Sequence, residues 1–139
     1  MVPRINQDSN KHPISTRFFW PIFIAGSQYS AASRQNLPDF FPICFNANEV
    51  LTLAERAANL DLGGIILYEL LPPKTENASS SLQNDTLLIN SLCALQKEFP
   101  ELLTIVDLCV CQYTEDSHCR IHMDEERTTQ HLLRQAALL

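Results

Sequence analysis

Residues 46–73 read NANEVLTLAERAANLDLGGIILYELLPP, and this stretch decides the fold class. Its first half predicts a helix that Asn46 or Asn48 can cap and that Gly63 ends as a C′ glycine. Its second half, IILYELL (65–71), is a continuous apolar run that predicts a parallel strand buried on both faces. The apolar residues that recur at helical spacing in the first half are Val50, Leu53, Ala54, Ala57 and Leu60.

The same alternation extends outward in both directions. FWPIFIAG (19–26) predicts a first strand and LLTIVDLCVC (102–111) a third. Asn84 or Asp85 is expected to cap a second helix, and Asp124 a third. The second helix has one apolar face, made by Leu88, Leu92, Leu95 and Phe99. The chain therefore predicts an α/β fold of three βα units with a parallel sheet over residues 17–139. Residues 1–16 are predicted to form a flexible N-terminal arm, and residues 27–42 and 72–83 to form loops.

Composition limits the class of protein. The chain has 139 residues, of which 45% are hydrophobic, and a net charge of −6. That length supports one domain with a core, and the acidic balance disfavours nucleic acid and anionic membranes as partners. FFWPIFIAG, the longest early apolar stretch, is far shorter than the roughly 20 residues of a membrane helix. It also lacks a signal-peptide pattern, so we expect a cytoplasmic protein or the mature form of an organellar one.

Three cysteines lie close together in the segment DLCVCQYTEDSHC (107–119). If the third strand reaches residue 111, Asp107, Cys109 and Cys111 share one face at its carboxyl end, and Cys119 can return to them. In a reducing compartment such a cluster favours metal binding over disulfides. Three thiol ligands would leave zinc an open fourth position, whereas a fourth ligand from His118 would make the site structural. We favour the open site, because neighbouring residues rarely reach one metal.

The other cysteines and histidines have simpler expected roles. Buried cysteines commonly fill a core, and this is the role expected for Cys44 and Cys93. His122 and His131 are expected to be solvated surface residues.

The cysteine segment resembles the metal-binding segment of zinc-type porphobilinogen synthase, also called 5-aminolevulinate dehydratase. That family's segment runs D-x-C-x-C-x-Y-T, then a short loop and H-C. WPIFI, LDLGGIILYELLPP, KEFPELLTIVDLC and DEERTTQHLLRQAAL resemble the strands and helices around it. The matching positions of the segment are Asp107, Cys109, Cys111, Tyr113, Thr114, His118 and Cys119.

The resemblance implies a (β/α)8 TIM barrel, here the first three βα units, with an N-terminal arm that embraces a neighbour in a homo-oligomer. It implies condensation of two molecules of 5-aminolevulinate into porphobilinogen, an early step towards tetrapyrroles such as haem. Cys109, Cys111 and Cys119 would hold zinc, which would act as a Lewis acid on the second substrate. Asp107 would lie in the active site and His118 near the metal loop. Magnesium-type relatives have carboxylates at the cysteine positions, so zinc is the expected metal.

The sequence departs from the family at several loop positions. Ser117 and Arg120 stand where relatives usually have glycine, and Gln112 where they have proline. Arg120 would place a bulky cation beside the third ligand. FPICFNANE replaces the P-G-x-x-R stretch usual before the first helix.

Length is a further departure, because a TIM barrel takes about 250 residues. The family also uses a pair of Schiff-base lysines from later barrel strands. The lysines here are Lys11, Lys74 and Lys97, and none lies in surroundings predicted to lower its pKa.

Three interpretations remain open. The chain is a porphobilinogen synthase sequence cut short and inactive alone, or a non-catalytic zinc-binding remnant or oligomerisation module. Independently of the resemblance, it is a small α/β zinc-binding module.

Overall fold

Four parallel strands and three helices make up the part of the chain that the computed structural model describes, residues 18–25, 43–70 and 72–139. The predicted arm and the predicted loop at 27–42 lie outside these residues. The sheet has the order β2-β1-β3-β4, and every pairing is parallel. Its strands are β1 Phe19–Ala25, β2 Ile43–Cys44, β3 Gly64–Leu70 and β4 Thr104–Val106, and its helices are α1 Ala47–Asn59, α2 Leu87–Glu98 and α3 Glu125–Leu138.

The parallel α/β arrangement predicted from the sequence is confirmed. The two-residue strand β2 was not predicted, and it pairs with the side of β1 away from β3. A 3₁₀ turn at Ser79–Leu82 lies within the segment predicted as a loop.

The main core lies between one face of the sheet and helices α1 and α2. Burying each large aliphatic side chain there contributes about 1.5–3 kcal/mol. The core residues on the sheet are Ile22, Ile24, Ile65 and Leu67. Those on the helices are Val50, Ala54, Ala57, Leu88, Leu92 and Leu95. The predicted apolar face of α2 is therefore confirmed, and so is that of α1 as far as Ala57. Leu60, predicted on the same face, lies just past the end of α1 and is exposed.

The opposite face of the sheet is only partly covered. Phe23 and Tyr68 stack across β1 and β3 with ring centroids 5.6 Å apart, and both are half-buried. Ile66, on the same face of β3, is also half-buried. The prediction that IILYELL is buried on both faces is therefore wrong for the described residues, because α1 and α2 pack on one side only.

Helix ends follow the predicted capping chemistry at two of three starts. The Asn46 side chain accepts from the backbone N–H of Glu49 at 3.0 Å, and Asp124 accepts from that of Arg127 at 3.0 Å. Thr86 caps α2, in place of the expected Asn84 or Asp85. Past α1, Asp61 adopts the left-handed conformation, with φ 52°, that was expected of Gly63.

Close backbone contact explains the glycine at the start of β3. A Cβ added at Gly64 would lie 2.3 Å from the carbonyl oxygen of Leu103, which precedes β4. The Ile65 N–H donates to that same carbonyl at 2.9 Å. The absence of a side chain at Gly64 thus lets the two strands approach.

Strand β4 ends at Val106, five residues before its predicted end at 111. The Asp107 N–H still donates to Leu67 at 3.1 Å, but the chain then leaves the sheet. The N–H groups of Tyr113 and Thr114 both donate to the Val110 carbonyl, which forms a turn. The prediction that strand alternation places Asp107, Cys109 and Cys111 on one face is therefore wrong.

Candidate metal centre

Three thiols converge just beyond the carboxyl end of β4. The Sγ atom of Cys109 lies 3.2 Å from that of Cys111 and 3.6 Å from that of Cys119. All three sulfur atoms lie within 4.8 Å of one another, and they are the one such group of possible metal ligands in the described residues. The structure thus brings together the three cysteines that the sequence singled out, by a turn and not by a strand.

The spacing of the sulfur atoms suits a tetrahedral zinc ion. Zinc–sulfur bonds of about 2.3 Å at tetrahedral angles place two sulfur atoms about 3.8 Å apart. The Cys109–Cys119 separation of 3.6 Å is close to this, and the Cys109–Cys111 separation of 3.2 Å needs only a small opening. Cys109 and Cys111 are half-buried and Cys119 is exposed, so the group lies at the surface and a metal has a route of entry.

The segment between Cys111 and Cys119 is held by its own hydrogen bonds. The Thr114 side chain is buried, and its hydroxyl donates to the His118 carbonyl at 3.0 Å. Ser117 has φ 59°, in the left-handed region that glycine adopts without strain. The departure from glycine at Ser117 is therefore accommodated with some backbone strain, and the loop still returns Cys119 to Cys109.

Three further hydrogen bonds attach this segment to the rest of the fold. The Tyr113 hydroxyl donates to Oε2 of Glu69 on β3 at 2.7 Å, and both side chains are buried. The Thr75 N–H donates to the Tyr113 carbonyl at 2.8 Å. Lys74, exposed on the same connection, donates to the Ser117 hydroxyl. The loop after β3 thus supports the thiol segment.

The thiols differ in how readily they ionise. Burial disfavours the Cys109 thiolate, but hydrogen bonds from Cys111 and Cys119 outweigh it and lower the pKa of Cys109. Burial, together with the hydrogen bond to Cys109, raises the pKa of Cys111 to about 12. The hydrogen bond to Cys109, followed by the charge on Cys109, raises the pKa of Cys119. Metal binding by all three cysteines would require that their protons be displaced.

Burial also shifts the pKa of the pair that anchors the loop. It raises the pKa of the Glu69 carboxyl, an effect that the hydrogen bond from Tyr113 partly offsets. The pKa of Tyr113 is raised as well, chiefly by burial and then by the neighbouring Glu69. The phenol therefore keeps its proton and remains a donor.

The other predicted site residues lie around the thiols without joining the group. Asp107, half-buried directly after β4, is close enough for its charge to oppose ionisation of Cys109 and Cys119. His118 is exposed, and its backbone N–H donates to the Asp116 carboxylate at 3.1 Å. Its imidazole is outside the group of possible ligands in the described residues.

Arg120 follows the third thiol and forms an ion pair with Glu125 at 3.1 Å. Glu125 is the first residue of helix α3, so the ion pair joins the Arg120 guanidinium to the start of that helix. The cation expected beside the third ligand thus has an acidic partner.

Two of the simpler expectations are wrong. Cys93, expected in the core, is exposed on α2, whereas Cys44 is buried as predicted. His131, expected at the surface, is buried on α3 and its Nε2 lies 2.7 Å from the Ser81 hydroxyl. The 3₁₀ turn, which contains Ser81, covers this face of α3. No local sequence pattern predicted the contact, because Ser81 and His131 are 50 residues apart. His122 is exposed as expected.

Sequence reasoning also missed Glu69. The available signal was an acid inside the otherwise apolar run IILYELL, where a buried carboxylate needs a partner. Its partner, Tyr113, lies 44 residues away, so the contact could not be read from local spacing. No helix in the described residues has the length and apolar character required to cross a membrane.

Comparison with known proteins agrees with the resemblance in the cysteine segment. The family model of delta-aminolevulinic acid dehydratase matches residues 5–139. The enzyme of that name from Ruminiclostridium josui is 26% identical over 117 residues, which make up 81% of this chain and 56% of that relative. Those of Archaeoglobus fulgidus and Dictyostelium discoideum are each 28% identical, covering 76% and 81% of this chain and 32% and 34% of the relatives.

The chain therefore spans between about a third and just over half of the length of these relatives. The match covers the thiol centre, the sheet and the helices described above. This chain belongs to the delta-aminolevulinic acid dehydratase family.

Proposed function

We propose that this chain forms the zinc-binding region of a porphobilinogen synthase, the enzyme that condenses two molecules of 5-aminolevulinate into porphobilinogen. The observation that supports this best is the convergence of Cys109, Cys111 and Cys119, with each sulfur within 4.8 Å of the others. The donor set is chemically suited to zinc, because soft thiolates favour zinc over magnesium. Three protein ligands leave a coordination position for water or substrate.

The residues of the centre take distinct roles in this proposal. Cys109, Cys111 and Cys119 hold the metal. When bound, zinc supplies Lewis-acid polarisation of a substrate oxygen. Asp107 is the neighbouring carboxylate of the active site, placed at the end of β4 where parallel folds build their sites. His118 lies beside the metal without binding it.

The proposal extends to the organisation of the whole protein. Residues 17–139 form part of a TIM barrel, and residues 1–16 form an arm that joins neighbours in a homo-oligomer. The thiol centre requires a reducing compartment to stay unoxidised, which favours the cytoplasm or an organellar matrix or stroma.

This polypeptide alone is not expected to form porphobilinogen. Bond formation between two substrates requires that both be held and activated, and the family resemblance assigns that work to lysines of later barrel strands. Lys74 lies on the connection that contacts the thiol loop, but it is exposed and its amine donates to the Ser117 hydroxyl, so it lacks the enclosed site that such a lysine needs.

The test combines metal analysis with a product assay under reducing conditions. We expect about one zinc per chain, no porphobilinogen from 5-aminolevulinate, and no substrate adduct on Lys74 after borohydride treatment. Product that forms only when a polypeptide supplying the later strands is added would support the synthase assignment. Absence of zinc binding would contradict the proposed centre, and zinc-dependent product from the chain alone would contradict its inactivity.

A non-catalytic zinc-binding or oligomerisation role is the second candidate, favoured by the exposure of Cys119 at the surface. Zinc binding without product, even after the later strands are supplied, would support it.

A further inference from the structure

One buried hydrogen bond joins the thiol loop to the sheet. Tyr113 lies between Cys111 and Cys119 in the chain and is only 2% exposed. Its hydroxyl donates to the carboxylate of Glu69, near the carboxyl end of β3, at 2.7 Å. Glu69 is 8% exposed, so solvent contributes little to solvating this carboxylate. The pair is therefore a specific link between two segments distant in sequence.

An acid at this position of the sheet is costly. Ile65 and Leu67 occupy the preceding positions on the same face of β3, and both are fully buried. An aliphatic side chain would continue that face without the penalty of burying a carboxyl group. The acid is thus explained by what it binds, and the contact that it makes is with Tyr113.

The contact adds a side-chain anchor to the backbone hydrogen bonds that hold the loop. The backbone of Tyr113 is held by Thr75, and its ring end is held by Glu69, so both the position and the orientation of the residue are set. Cys119 is exposed, and its approach to within 3.6 Å of Cys109 depends on the path of the loop between them.

We propose that Glu69 is a positioning residue for the thiol centre, holding the 109–119 loop through Tyr113 in the shape that brings Cys119 to Cys109. Its effect on zinc affinity rests on the proposed function, whereas its effect on the meeting of the two thiols does not. Partners that orient metal ligands commonly change metal affinity by about 10- to 100-fold when removed. Because Glu69 acts through the loop and does not touch a ligand, we expect the lower end of that range.

The experiment uses a double-mutant cycle of Tyr113→Phe and Glu69→Leu, with Glu69→Gln as the conservative control. The first readout needs no metal: it is the effective concentration for forming the Cys109–Cys119 disulfide against glutathione, in a Cys111→Ser background. The second readout is zinc affinity in the chain with all its cysteines. Circular dichroism checks that each variant is folded.

Each single variant is expected to lower both quantities about tenfold, and the double variant no further, because the two residues act as one unit. Glu69→Gln keeps an acceptor for the hydroxyl and should stay within about threefold of the unmodified chain. If Glu69→Leu does not fold, Tyr113→Phe and Glu69→Gln decide the matter.

Unchanged values in Tyr113→Phe, or losses that add in the double variant, would overturn the inference. A fall in disulfide formation in a chain that binds no zinc would support the positioning role and contradict the proposed function. The two proposals therefore fail separately.

Discussion

Replacing Cys109 with serine should weaken zinc binding by about two to three orders of magnitude. Cys109 is the central thiol, since its sulfur lies 3.2 Å from that of Cys111 and 3.6 Å from that of Cys119. Structural zinc-finger sites, which have four protein ligands, bind with about 10–16 kcal/mol, so one ligand accounts for about 2.5–4 kcal/mol there, and we apply the same value to one thiol of this centre. A serine hydroxyl is a poor substitute, because it does not ionise near neutral pH and is a harder donor than a thiolate.

The assay is competition with a chromophoric chelator under anaerobic, reducing conditions. Cys93→Ser is the matched control, because Cys93 is exposed on α2 and outside the thiol group. Cys44→Ser tests a buried position and should lower the free energy of unfolding while leaving zinc affinity close to that of the unmodified chain. Equal losses of affinity from Cys93→Ser and Cys109→Ser would refute the assignment of the centre.

Three further predictions concern the fold. Gly64→Ala should lower the free energy of unfolding by at least about 2 kcal/mol, because the added methyl group would lie 2.3 Å from the Leu103 carbonyl oxygen. An unchanged midpoint in a denaturant titration would contradict that contact. Burial, followed by the charge on a neighbouring arginine, lowers the pKa of His131. Below about pH 6.5 the unfolded chain therefore binds more protons than the folded chain does. The free energy of unfolding consequently falls as the pH falls. Melting temperatures of His131→Gln should therefore decline less on acidification than those of the unmodified chain, and an equal decline would contradict this. Strand β4 is the last strand of the sheet in the described residues and Ile105 on it is exposed, so the chain should self-associate in light scattering through this edge. Ile105→Lys should reduce the association, and an equal effect of Leu133→Lys on α3 would argue against edge pairing.

Local patterns determined the elements of this protein. Helical spacing placed α1 and α2 with the correct buried faces, and the side chains of Asn46 and Asp124 start their helices as predicted. Such signals act within one or two turns of chain, so they can be read in order along the sequence. The cysteine segment indicated both the family and the three thiols for the same reason, since its positions lie within a short span.

The tertiary structure decided how those thiols meet. The sequence predicted a strand through residue 111, but β4 ends at Val106 and a turn gathers the sulfur atoms. An apolar alternation cannot reveal where a strand loses its neighbour. Here β3 continues beyond the end of β4, and the last bond between them is the one from Asp107 to Leu67.

Contacts between distant segments were also beyond the sequence. Glu69, on β3, meets Tyr113 across 44 residues, and Ser81, in the connection after β3, meets His131 across 50. Burial of a polar side chain depends on what covers it, and that cover comes from another part of the chain. The sequence by itself therefore determined which thiols form the candidate centre, and only the packing of the β3 loop against residues 107–119 decided what holds them in place.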